Sequence, residues 1–144
     1  TLHTSDAAGG IARLLDMGIE PYLVASSVLC FISQRLVRIV CPACRAPVIP
    51  APALRQHFGV EELPAQLWQG RGCSACKGTG YAGRTAIYEF LYVDEPIQQL
   101  ILRRASSQEI LRTAQQGGMR TLRQDGWLKI LPGFTTPEEV LRVS

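Results

Sequence analysis

The sequence has 144 residues, 47% of them apolar, enough for the core of one compact domain with a small subdomain but not of two whole domains. A formal net charge of +3 is too slight for a nucleic-acid binder, which would show a concentrated basic stripe. The longest uncharged stretch, Pro21 to Gln34, is fourteen residues, short of the roughly 20 that a membrane-spanning helix needs, so it reads as a buried helix. Thirteen of the fifteen cations are Arg, and Lys77 and Lys129 are the only lysines. Such a bias suits pairing with carboxylates and phosphates across an interface, or reflects nothing more than codon usage. The chain opens at Thr1, without Met or a secretory leader, at what reads as a strand-to-helix junction. A piece of a longer protein from a reducing compartment is therefore expected, one in which paired cysteines mean metal more often than disulfide.

Thr1 to Ser5 has a short β-like texture. Asp6 to Met17 places Ile11, Leu14 and Leu15 at helical spacing, with Gly18 where a helix C-terminus favours glycine. The pair Gly9-Gly10 weakens that helix or admits a close neighbour. Pro21 opens a second helix whose apolar stripe runs through Leu23, Val24, Val28, Phe31, Ile32 and Leu36, with Arg35 and Arg38 near its end. Cys30 would then be a buried core thiol within it. From Cys41 to Gly83 the texture turns rich in Pro, Gly and Cys. Pro50 to Gly59 holds a candidate short helix, Leu67 to Gln69 a candidate strand, and Gly78 to Gly83 a turn into a strand over Arg84 to Val93. The remainder is three or four short helices with start signals at Asp94-Glu95-Pro96, Ser106 with Glu109, and Thr136-Pro137 with Glu139. Trp127, Ile130 and Leu131 supply an apolar face that Gly133 ends.

Two CxxC pairs, Cys41 with Cys44 and Cys73 with Cys76, stand 28 residues apart. Each can present two sulfurs to one point, and two pairs complete the tetrahedron that zinc takes from thiolates at about 2.3 Å. With no open position the site would be structural and not catalytic. The gap exceeds that of common zinc ribbons and must hold structure of its own, for which residues 50–69 are the candidate. Two disulfides or a redox pair are the alternatives, although neither pair shows a thioredoxin-like strand–helix setting.

A phosphate loop of the form GxxxxGK[S/T] is missing: Lys77 and Lys129 lack the required neighbours, and Gly78-Thr79-Gly80 is not followed by Lys. By itself the chain should not hydrolyse ATP. His3, set among Thr1, Thr4, Ser5 and Asp6, is a candidate contact to a phosphate or carboxylate, or a hydrogen-bonded structural residue.

Several stretches together resemble the C-terminal portion of the type II secretion and type IV pilus assembly ATPases, hexameric RecA-like P-loop proteins. Thr1-Leu2-His3-Thr4-Ser5-Asp6-Ala7 is similar to that family's histidine box, with Ser5 in place of the usual Asn. Leu23 to Ser27 and Gln34 to Arg38, the tetracysteine insertion, Gly80-Tyr81-x-Gly83-Arg84-x-x-Ile87-x-Glu89, and Asp125-Gly126 through Thr135-Thr136-x-Glu138-Glu139-Val140 follow in the family's order.

The resemblance implies an α/β fold: the end of a RecA-like core (1–40), a four-cysteine zinc subdomain (41–83), a strand returning to the core (84–93) and a helical subdomain (94–144). It further implies ATP and Mg²⁺ held by upstream segments, a histidine-box role for His3, Zn²⁺ on Cys41, Cys44, Cys73 and Cys76, and recurrent family positions for Arg35 and Arg84. Expected partners are neighbouring subunits of a homo-hexameric ring and an inner-membrane secretion or pilus platform protein, with a cytoplasmic location and no direct nucleic-acid contact. An incomplete core sheet would leave an apolar face uncovered. A zinc-ribbon nucleic-acid module is the rival reading, but between the knuckles only Arg45, Arg55 and Arg71 oppose Glu61 and Glu62. A purely structural zinc domain explains the cysteines but not the other motifs.

Overall fold

A computed structural model describes all residues from Thr1 to Ser144. The chain is a mixed α/β structure that divides into two compact units. The first comprises residues 1–33 and 88–121, the second residues 34–87 and 122–144. The divisions fall inside two long, hydrogen-bonded strands, β1 (Cys30–Val40) and β4 (Tyr81–Tyr92).

In the first unit, α1 (Ala7–Asp16) begins where Asp6 accepts a hydrogen bond from the Gly9 N–H at 2.6 Å. The Ala7 N–H donates to the buried carboxylate of Glu89 at 2.9 Å, so a negative charge from β4 sits at the helix N-terminus, where the dipole favours it. Helix α2 (Pro21–Ser27) follows, then α4 (Glu95–Leu102), capped by Asp94, and α5 (Ser107–Gln116), capped by Ser106. Their buried faces meet in a core of Ile11, Val24, Leu91, Ile97, Ile101 and Ile110. Gly10 is small for a reason: a Cβ there would lie 2.9 Å from the Phe31 ring. Glu109 does not complete a capping box but pairs with Arg103.

The helix expected from Pro21 to Arg38 is a correction. It stops at Ser27, and residues 30–40 are strand β1. Burial in β1 alternates, with Ser33 and Val37 buried, while Ile32 (56% exposed) and Leu36 (49%) face outward. The stripe that looked helical thus mixes both faces of a strand. Cys30 is accordingly half-buried at the start of β1 and not a core thiol. Residues 1–4 form no strand, and Leu131 lies on the surface.

In the second unit, β2 (Arg45–Val48) pairs antiparallel with β3 (Leu67–Gly70), and α3 (Leu54–Phe58) lies between them in the chain. Helices α6 (Leu122–Ile130) and α7 (Pro137–Val143) complete a core of Val37, Leu67, Ile87, Ile130 and Val140, with Phe58 and Trp127 rings 4.9 Å apart. Gly126 permits the approach of α7, since any Cβ there would overlap the Val140 side chain.

Helix α7 is bound to β1 by a charged joint. Glu139, 2% exposed, accepts from the Arg38 N–H (2.9 Å) and guanidinium (2.7 Å), and from Arg142 Nε (3.1 Å) and Nη2 (3.0 Å). The Arg38 guanidinium lies 4.1 Å from the Tyr81 ring centroid, and the Tyr81 hydroxyl meets Thr136 at 2.9 Å. Thr136 itself caps α7, and the Thr135 hydroxyl donates to the Arg38 carbonyl at 2.8 Å. No buried side-chain polar atom is left unpaired.

Burial pushes the Glu139 pKa up, but hydrogen bonds from Arg38 and Arg142 outweigh it and hold it near 2, against an ordinary 4.5. A depressed carboxylate pKa stabilises the fold above the ordinary value, and that contribution disappears as pH falls from about 4.5 toward about 2. Both guanidinium groups are about half-exposed, so solvent screening reduces the gain. Glu139→Gln should therefore cost about 2–3 kcal/mol at pH 7. In urea titrations the gap from the unmodified chain should close as pH approaches 2; a gap that is the same at both pH values would refute the joint.

Candidate metal centre

The ladder of β2 with β3 decides where the cysteines go. Arg45 pairs with Gly70, so the strand that leaves Cys44 and the strand that returns toward Cys73 meet at the same end. The Arg71 N–H extends this alignment by donating to the Cys44 carbonyl at 3.0 Å. The long gap between the two CxxC pairs is thus an out-and-back excursion through α3, and its ends bring the pairs together.

Each pair is a tight turn. The Cys44 N–H donates to the Cys41 carbonyl at 3.3 Å, and the Gly78 N–H to the Cys73 carbonyl at 2.9 Å. The Cys41 N–H reaches across to the Gly80 carbonyl at 2.9 Å. Glycine is required at this crossing: a Cβ on Gly70 would overlap the Gly80 backbone, and one on Gly80 would lie 2.6 Å from the Gly70 carbonyl oxygen.

All four sulfurs lie within 4.8 Å of one another. Cys41 to Cys73 and Cys44 to Cys76 are each 3.9 Å, and Cys73 to Cys76 is 3.7 Å. A regular tetrahedron with arms of about 2.3 Å has edges of about 3.8 Å, so these separations fit one metal ion at the centre. They far exceed a disulfide bond of about 2.05 Å, and all five cysteines are free. Cys41 and Cys76 are buried, and Cys44 and Cys73 half-buried.

Backbone amides tune the thiols. Gly72 N–H donates to Cys44 Sγ at 3.2 Å, while Cys73 N–H (3.1 Å) and Gly80 N–H (3.2 Å) donate to Cys76 Sγ. Burial alone raises the Cys76 pKa, but these two amides, with the Cys73 and Cys44 thiols, bring it down to about 6. Cys44 moves the other way, to about 11, because burial and neighbouring sulfurs outweigh its single amide. Cys76 is thus the sulfur best prepared to be a thiolate. A bound cation would draw the others into that state, since metal coordination deprotonates thiols. Four sulfur donors in tetrahedral array, with N–H groups directed at them, select a thiophilic metal and leave no position open for substrate.

The sequence grouped these four cysteines, and the fold brings them together. It gave no reason to single out Gly70, and no structural role for Gly72 or Gly80, although dense glycine around a CxxC is a usable signal of close backbone approach to sulfur. His3 is exposed, ahead of α1, and belongs to the first unit; the four cysteines belong to the second. Arg35 is half-buried on β1, and Arg84 is exposed on β4, in the second unit.

Chelation should loosen residues 41–76 before the rest of the chain. Limited proteolysis with and without a strong chelator checks this, and identical cleavage patterns would contradict it. Cys73→Ser should give the chelated pattern without chelator.

Residues 1–142 match the family described as Type II/IV secretion system protein. The chain is 48% identical over 145 residues to a Type II secretion system protein E of Pseudomonas aeruginosa, covering all of this chain and 29% of that protein. It is 47% identical over 144 residues to the Type IV pilus assembly ATPase PilB of Thermus thermophilus, covering 98% of this chain and 16% of that protein. With the Type II secretion system ATPase E of Vibrio cholerae the identity is 41% over 145 residues, again covering this whole chain and 29% of the relative. The chain therefore spans less than a third of the length of each of these relatives. A match of this extent, running through the cysteine turns and both units, shows that the chain belongs to the type II/IV secretion system protein family.

Proposed function

We propose that this chain works as the C-terminal part of a hexameric, RecA-like ATPase that uses ATP hydrolysis to drive protein secretion or pilus assembly. The observation that carries this reading is the match over residues 1–142, together with relatives whose names state ATPase, secretion and pilus functions. The phosphate loop and the Mg²⁺-holding groups belong to segments outside residues 1–144. The chain contributes instead the histidine-box contact of His3, part of the ring interface, and a metal-stiffened platform. Attachment at the inner membrane through a partner protein is part of this reading; within these residues no helix is long and apolar enough to cross a membrane.

The metal we assign is zinc, held by Cys41, Cys44, Cys73 and Cys76. It would supply structure and no chemistry. A closed four-thiolate site fixes surface loops that have little core beneath them, which suits a docking platform. The exposed apolar side chains Val48 and Ile49 lie at the end of the β2–β3 ladder away from the cysteine turns and offer apolar surface for such docking.

The test is a chimera in which this chain replaces the matching segment of the Vibrio cholerae relative. The chimera should hydrolyse ATP, and the isolated chain should not. Hydrolysis by the isolated chain, or a folded but inactive chimera, would contradict the proposal. Within the chimera, Cys41→Ser should reduce secretion more than nucleotide binding.

A further inference from the structure

Leu36, Arg38, Arg84 and Arg142 line an open cleft of about 470 Å³ in the second unit. Three guanidinium groups share this one concavity. Arginine does not shed its proton in proteins, so their mutual repulsion is relieved only by an anion or by water. Glu139 answers Arg38 and Arg142 together. Three positive charges less that one carboxylate leave two. Arg84 contributes most of the excess, for it is exposed and its side chain makes no hydrogen bond or ion pair within the chain.

The unmatched charge has a definite chemical complement. A single carboxylate would neutralise one of the two charges and offer two acceptor oxygens. A phosphoryl group carries close to two negative charges at neutral pH and three or more acceptor oxygens spread over a tetrahedron. Guanidinium forks arriving from different elements, β1, β4 and α7, suit such an acceptor better than a planar one. The Glu139 joint also holds Arg38 and Arg142 in place before any ligand arrives, which lowers the entropy lost on binding. Leu36 gives the cleft an apolar side.

We propose that this cleft binds a phosphoryl dianion, with Arg84 as its principal ligand and Arg38 and Arg142 flanking it. The ligand is free phosphate or the terminal group of a phosphate monoester, and the binding chemistry is the same for both. It does not depend on the metal or on the proposed ATPase reading.

Isothermal titration of the 144-residue chain with inorganic phosphate, with glycerol 3-phosphate and with acetate tests the assignment. Saturable one-site binding of phosphate is expected, weakened at least about tenfold in Arg84→Gln and less in Arg84→Lys, which keeps the charge but loses the fork. Because Arg84 has no internal partner, Arg84→Gln should melt at the same temperature as the unmodified chain. Equal binding of the two phosphates would identify the free ion as sufficient; tighter binding of the ester would identify an organic phosphate. Absence of saturable phosphate binding, unchanged binding in Arg84→Gln, or acetate competing as well as phosphate would overturn the proposal.

Discussion

The antiparallel register that sets Arg45 opposite Gly70 is the constraint on which the four-cysteine cluster depends. A shift by one residue would turn Leu67, fully buried, to the other face of its strand and would carry Cys44 away from Cys73. Two four-residue strands are a weak basis for that register, since an isolated two-stranded ladder is marginal in water. The four sulfurs supply what the ladder lacks. A metal drawing them together would close the excursion from Cys44 to Cys73 at its base, as a cross-link does. The close contact of Gly70 with Gly80 and the amides aimed at Cys44 and Cys76 are the local conditions under which that closure is free of strain.

Buried carboxylates play a parallel part elsewhere. Glu89 ties the start of α1 to β4 in the first unit, and Glu139 ties α7 to β1 in the second. Both anchor a helix to a strand far away in sequence; Glu89 does so through one backbone N–H, while Glu139 has four donors, two guanidinium groups among them, which is why its charge can be buried. Glu139 carries a further consequence. By engaging Arg38 and Arg142 it orders two cations that line the open cleft with Arg84.

Much of this was legible in the sequence, and for identifiable reasons. Asp94, Ser106 and Thr136 all cap the helices that their spacing marks, because an N-cap is a local interaction that needs only its own neighbours. The grouping of the four cysteines was legible because tetrahedral coordination imposes its own spacing rule. Strand β1 was not. Its inward register includes Ser33 and Arg35 and its outward register Ile32 and Leu36, so the polar–apolar alternation that identifies a strand was inverted at those positions. Pairing with β4, a non-local interaction, decides the matter over local periodicity. Strand β2 was invisible for the same reason: Arg45-Ala46-Pro47-Val48 has no strand pattern of its own and is a strand only opposite β3. Glu139 looked like the acidic half of a capping box, and nothing local distinguishes that role from a buried ion pair with Arg38, 101 residues away.

Elemental analysis of the purified chain, combined with a count of reactive thiols under native conditions, tests the central claim most directly. The account predicts one zinc per chain with Cys30 as the only reactive thiol. Absence of metal with four or more titratable thiols, or two disulfides, would contradict it.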